Sequence, residues 1–152
     1  MTNNIVLDSS FLVALFDETD NFHERAKNLH VRYKQLQLRP IILDIVVNET
    51  ISVISRRLKQ KQRNHLLQER LTTVSTVFSN LGIQRTSDFV QVNFKNIITT
   101  IIMSEGAFSF NDALIVSFLQ ENNITRFLSF DSDFDSIQTI QRISSAEQLK
   151  KE

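Results

Sequence analysis

Ile5-Val6-Leu7-Asp8-Ser9-Ser10-Phe11-Leu12 is the stretch from which the fold can be read. A short apolar run stops at an acid and two serines, and Phe11, Leu12, Leu15 and Phe16 then recur at the spacing of a helical face. The predicted order is strand, turn, helix, and the same alternation continues outward. Asp20 can cap a second helix reaching about Gln37, Pro40 breaks the chain, and Ile41-Ile42-Leu43 reads as the second strand. From Asp44 a third helix carries Val47, Ile51, Ile54 and Leu58 on one face. Leu67, Leu71, Val74 and Phe78 predict a fourth, stopped by Gly82.

Beyond Gly82 the pattern predicts a short strand at Ile83-Gln84-Arg85, helices over residues 89–103 and 111–120 separated by Gly106, and a strand at Arg126-Phe127-Leu128-Ser129. A turn over 131–135 and an edge strand over 137–140 complete the reading. Short apolar strands separated by helices must pair in parallel through crossover connections. The expectation is therefore an α/β chain, a three-layer α/β/α sandwich with a parallel sheet of about five strands.

A chain of 152 residues can bury roughly two thirds of its unfolded surface, so one domain over residues 1–152 is expected. Lys+Arg and Asp+Glu number 17 each, and this zero net charge provides no global field to recruit a polyanion. Any contact with nucleic acid must be local. The absence of Cys excludes disulfides, thiolate zinc sites and cysteine nucleophiles. The N-terminal residues show no signal-peptide pattern and the apolar runs are strand-sized, so a cytoplasmic protein without a membrane span is expected.

In an open parallel sheet a ligand site lies beyond the carboxyl ends of the strands. The sequence puts carboxylates there. Asp8 follows the first strand, Glu49 lies in the first turns after the second, and Asp131 stands just past Phe127-Leu128-Ser129. Asp112 opens a helix and shares its face with Ile115, Val116 and Leu119. An acid on an apolar face costs ~1–3 kcal/mol of desolvation unless something binds it. Four converging carboxylates would repel, whereas that many hard oxygen donors suit Mg²⁺ or Mn²⁺. Such ions could activate a water for attack on a phosphodiester, with no protein nucleophile required. Accordingly there is no G-x-S-x-G elbow, no phosphate-binding glycine loop and no H-E-x-x-H.

Each acid also has a plain structural reading. Asp8 could cap the first helix, Ser109-Phe110-Asn111-Asp112 matches a capping box, Glu49 could be solvated near a helix start, and Asp131, Asp133 and Asp135 could be turn residues. His23, His30 and His65 lack partners at ligand spacing and are read as helix-surface residues. Arg56, Arg57, Lys59, Lys61 and Arg63 form a basic group that is either a solvated helix end or, beside the acids, a holder of RNA phosphates. A dehalogenase-type phosphatase, which also begins with an acid after a strand, requires a second Asp where Ser10 stands.

Taken in order, Ile5 to Leu12, Asn48-Glu49, Ser109 to Ile115 and Leu128-Ser129-Phe130-Asp131-Ser132-Asp133-Phe134 resemble the PIN domain family from Ile5 to about Ile140. Asn21-Phe22-His23-Glu24-Arg25-Ala26 looks like a helix start that recurs in it. The resemblance implies Mg²⁺ or Mn²⁺ at the acids and endoribonuclease activity on single strands. It carries the metal-site roles to Asp8, Glu49, Asp112 and Asp131, with Asp133 as reserve ligand, and supporting hydroxyls to Ser10 and Ser129. It further implies a VapC-type toxin, forming a homodimer and silenced by a cognate antitoxin. A housekeeping RNA-processing nuclease and a non-catalytic binding module are the alternatives.

Overall fold

A computed structural model describes residues 3–150. The chain runs β1 (Asn4–Leu7), α1 (Ser9–Phe16), α2 (His23–Gln35), β2 (Arg39–Ile41), α3 (Asp44–Gln60), α4 (Leu67–Leu81), α5 (Ser87–Met103), α6 (Phe110–Glu121), β3 (Arg126–Leu128) and β4 (Gln141–Ile143). Short 3-10 turns lie at Asn64–Leu66, Ser132–Ser136 and Ala146–Gln148. The strands form one parallel sheet in the order β2-β1-β3-β4, flanked by the helices as the alternating pattern requires. β1 is central, and Ile5, Val6 and Leu7 are all buried, as expected of a strand covered on both faces. Among the described residues no helix is long and apolar enough to cross a membrane.

Among the described residues four strands form where about five were expected. The segment at Ile83-Gln84-Arg85 makes only one parallel bridge, Leu43 to Gln84. The Gln84 amide donates to the Ile42 carbonyl at 2.8 Å and the Gln84 carbonyl accepts from Asp44 at 3.0 Å. Two residues later Thr86 donates its amide (3.1 Å) and hydroxyl (2.6 Å) to the Asp44 carboxylate, which turns the chain into α5 before a ladder can extend.

The last strand lies at Gln141–Ile143 rather than over 137–140. Ile137 and Ile140 face each other across a turn, with the Ile140 amide donating to the Ile137 carbonyl at 3.1 Å. α2 begins at His23, because the Asp20 carboxylate accepts from the Phe22 amide (2.8 Å) and holds a loop ahead of the helix.

Pro40 lies inside β2 rather than before a strand. The Arg39 amide donates inward to Asn3 (2.8 Å), so in the alternating pattern of a strand the nitrogen of Pro40 faces away from β1 and no ladder bond is lost. Gly82 ends α4 as expected, at φ 80°, a conformation that disfavours a side chain.

Candidate active site

The end of β1 fixes the first acid. The Asp8 amide donates to the Leu128 carbonyl at 3.0 Å, so the ends of β1 and β3 lie side by side. Asp8 stands at the cap position of α1 yet makes no side-chain cap bond. Its Oδ2 instead accepts the Ser10 hydroxyl at 2.6 Å and the Ser129 hydroxyl at 2.7 Å. These two oxygens are 3.2 Å apart, and they accept the amides of Phe130 and Asp131 at 3.0 Å each. One buried carboxylate thereby organises the start of α1 and the turn after β3. Burial of Asp8, only 5% exposed, pushes its carboxyl above the usual range, against the pull of the two serines, and the charge of Asp112 adds to the rise.

Glu49 reaches the same place from α3. Its side chain is exposed as a whole, but partial burial of the carboxyl raises its pKa, helped by the charges of Asp8 and Asp112 and opposed by a hydrogen bond to Ser9 and by Arg56. Asp112 forms the capping box foreseen for it: Ser109 donates its amide (2.9 Å) and hydroxyl (2.6 Å) to Oδ2, and the Asp112 amide donates back to Ser109 Oγ at 3.2 Å. Capping and lining the cleft are therefore compatible for this residue. Asp131 accepts the Asp133 amide at 2.9 Å, as a turn aspartate does.

Asp8, Glu49, Asp112 and Asp131 line one open cleft of about 510 Å³, together with Ser9, Ser10, Asp20, Asn21, Phe22, Arg56, Arg57 and Phe130. The charge of Asp112 acts on both Asp8 and Glu49, and that of Asp8 acts on Glu49. Asp133 is exposed and is not part of the lining. Among the described residues no three His, Cys, Asp or Glu side chains form a ready-made metal cage.

A model of the PIN domain matches residues 5–139. The chain belongs to the PIN domain family. A search of curated proteins finds no significant sequence match. Among solved structures the chain is similar to VapC20 of Mycobacterium tuberculosis, a sarcin–ricin loop cleaving toxin, with TM-score 0.69 and 19% identity over 91% of this chain and 98% of that one. At this identity the likeness speaks for the fold.

Of the basic group of this PIN domain, Arg56 and Arg57 line the cleft, and Lys59, Lys61 and Arg63 do not. Arg57 donates to Asp17 at 2.9 Å and to Asp20 at 2.6 Å, and Lys61 bonds Thr19 and lies 3.8 Å from Asp17. Arg63 lines a separate small pocket with Phe16 and Arg70, and Lys59 is exposed outside the cleft lining. Arg56 lines the cleft and acts electrostatically on Glu49. His23 Nδ1 lies 2.8 Å from the Ala14 carbonyl and His30 Nδ1 lies 3.0 Å from the Tyr33 hydroxyl, which gives both rings a structural place.

The PIN cleft also has a wall that sequence reasoning did not single out: Asp20, Asn21 and Phe22 from the α1–α2 loop, and Phe130 beside Asp131. The available signals were an apolar ring directly ahead of α2, off the helical face, and another between Ser129 and Asp131.

Proposed function

We propose that this PIN-domain chain is a metal-dependent endoribonuclease and the toxin of a type II toxin–antitoxin pair. The observation that carries the reading is the convergence of Asp8, Glu49, Asp112 and Asp131 on one cleft, with no ion-pair partner for the buried Asp8 among the described residues. Burial and mutual repulsion raise Asp8 and Glu49, and a divalent cation would relieve both. The donors are all carboxylate oxygens, the chemistry that Mg²⁺ and Mn²⁺ take. Asp8, Glu49 and Asp112 would hold the metal, Asp131 would complete the set or position a water, and Asp133 stays in reserve. The bound ion would supply an activated water and charge stabilisation for phosphodiester hydrolysis. Ser10 and Ser129 hold the Asp8 carboxylate in one orientation, and Arg56, the cation on the cleft wall beside Glu49, would meet an RNA phosphate.

The toxin assignment draws on the family and on the likeness to VapC20. A cognate antitoxin would cover the cleft. The apolar residues of α5, with Val92 83% and Met103 80% exposed, support a homodimer. The deciding experiment incubates purified protein, free of any antitoxin, with RNA. Cleavage with Mg²⁺ or Mn²⁺, stopped by EDTA, is expected; no cleavage of any RNA would favour a binding module instead. Growth arrest on expression, suppressed by a small protein encoded beside the gene, is the result expected of a toxin and not of a housekeeping nuclease.

A further inference from the structure

Next to the acids the cleft presents aromatic surface. Phe22 is 39% exposed, and its ring stacks on Phe130 with centroids 4.7 Å apart and planes 15° from parallel. Phe130 in turn lies against buried Phe11 at 6.3 Å, and its amide donates to Ser10 Oγ at 3.0 Å. The stack is thus built on the backbone that orients Asp8 and Asp131. The Arg25 guanidinium lies over the Phe22 ring, 5.4 Å from its centroid.

A single exposed phenylalanine is ordinary on a protein surface. Here three features set it apart. The ring continues a near-parallel stack, a mobile cationic side chain rather than packed core lies over it, and it lines the same cleft as the four acids. The loop that carries it is fixed as well. Asp20 accepts the Phe22 amide at 2.8 Å, and Arg57 ties Asp20 (2.6 Å) and Asp17 (2.9 Å) to α3, so the ring needs little ordering when something binds.

Resting on the nuclease reading above, we infer that Phe22, backed by Phe130, is the platform on which an unpaired nucleobase beside the scissile phosphate stacks, taking the place of the Arg25 guanidinium over the ring. Every base has a π-face, and base–aromatic stacking holds a single strand without demanding a sequence. A base inside an A-form duplex is covered on both faces, so the platform selects loops and single strands over stems. The displaced Arg25 guanidinium can then stack on the base or meet its phosphate.

The test measures cleavage kinetics and melting temperature for the wild type, Phe22→Leu and Phe22→Trp. The substrates are a short single-stranded RNA and copies carrying one abasic nucleotide at each position around the cleavage site. Phe22→Leu keeps apolar volume and removes the ring. It is expected to raise KM by about ten-fold or more with kcat and melting temperature nearly unchanged, while Phe22→Trp retains a low KM. One abasic position should raise KM by a similar factor in the wild type and add nothing further in Phe22→Leu. Unchanged KM in Phe22→Leu, or abasic penalties that persist in full in that variant, would overturn the platform and leave the nuclease reading intact. A wild type that neither binds nor cleaves RNA would remove both.

Discussion

The two ends of α1 hold acids in opposite circumstances. At its start, Asp8 is buried among serine hydroxyls, near Glu49 and Asp112, and its carboxyl is raised. At its end, Asp17 and Asp20 bond Arg57, and Glu18 bonds Arg70 at 3.0 Å. Burial pushes Asp17 up, but hydrogen bonds from Thr19 and Arg57, with Lys61 nearby, outweigh it and hold the carboxyl at about 2. The same residue type thus titrates in opposite directions on the two sides of an eight-residue helix. Paired acids stabilise the native chain, whereas clustered ones work against it until a ligand arrives.

The sharpest way to break this contrast is to neutralise the clustered end. Under the nuclease reading, Asp8→Asn and Asp112→Asn should each lower cleavage by at least about 100-fold. A folded variant that cleaves as well as the wild type would sink the assignment.

Next in size is the effect on stability. Because the folded pKa of Asp8 lies above its reference of 3.8, its charge destabilises the metal-free protein at neutral pH, and that cost fades as pH falls through the raised value. Asp8→Asn should therefore raise the metal-free melting temperature by roughly 2–4 °C. It should also abolish the upward shift that Mn²⁺ or Mg²⁺ gives the wild type, as thermal denaturation can show.

Asp17 should behave in reverse. Its folded pKa of about 2 lies below 3.8, so its contribution is complete above 3.8 and is lost as pH falls toward 2. Asp17→Asn should lower stability at pH 7 by at most about 1 kcal/mol, since Arg57 is partly solvated, and should flatten acid unfolding in that window while leaving the metal-induced shift intact. The smallest expected effect is that of Arg56→Gln. It should weaken RNA binding at low salt and reduce the slope of log affinity against log salt by about one, measured by titration at several salt concentrations.

The helices were legible because their apolar residues recur at helical spacing, and β1 because an unbroken apolar run ended at Asp8. The sheet was less so. Ile137 and Ile140 carry as much apolar character as a strand would, and only their turn hydrogen bond separates them from β4. Gln84 had a strand-like setting, but Asp44, 42 residues before Thr86 in the chain, captures Thr86 and ends the pairing. At the candidate site the sequence named the acids but could not separate a capping Asp8 from a cleft Asp8. That distinction depends on Ser129, which lies 121 residues away. Phe22 and Phe130 stood within quoted motifs as spacers, because their stacking exists only once the α1–α2 loop folds over the turn after β3.

Pro40 bears on how many copies of this chain can coexist in solution. An edge strand normally offers a row of free amides to any other strand it meets, and so invites edge-to-edge aggregation. Along the outward side of β2 stands Pro40, which has no amide hydrogen, followed by the Ile42 carbonyl and the Asp44 amide, both already bonded to Gln84. That border of the sheet is a poor template for further strands, and replacing Pro40 with valine would restore one template amide there, a change that would surface as turbidity on concentration rather than as lost folding.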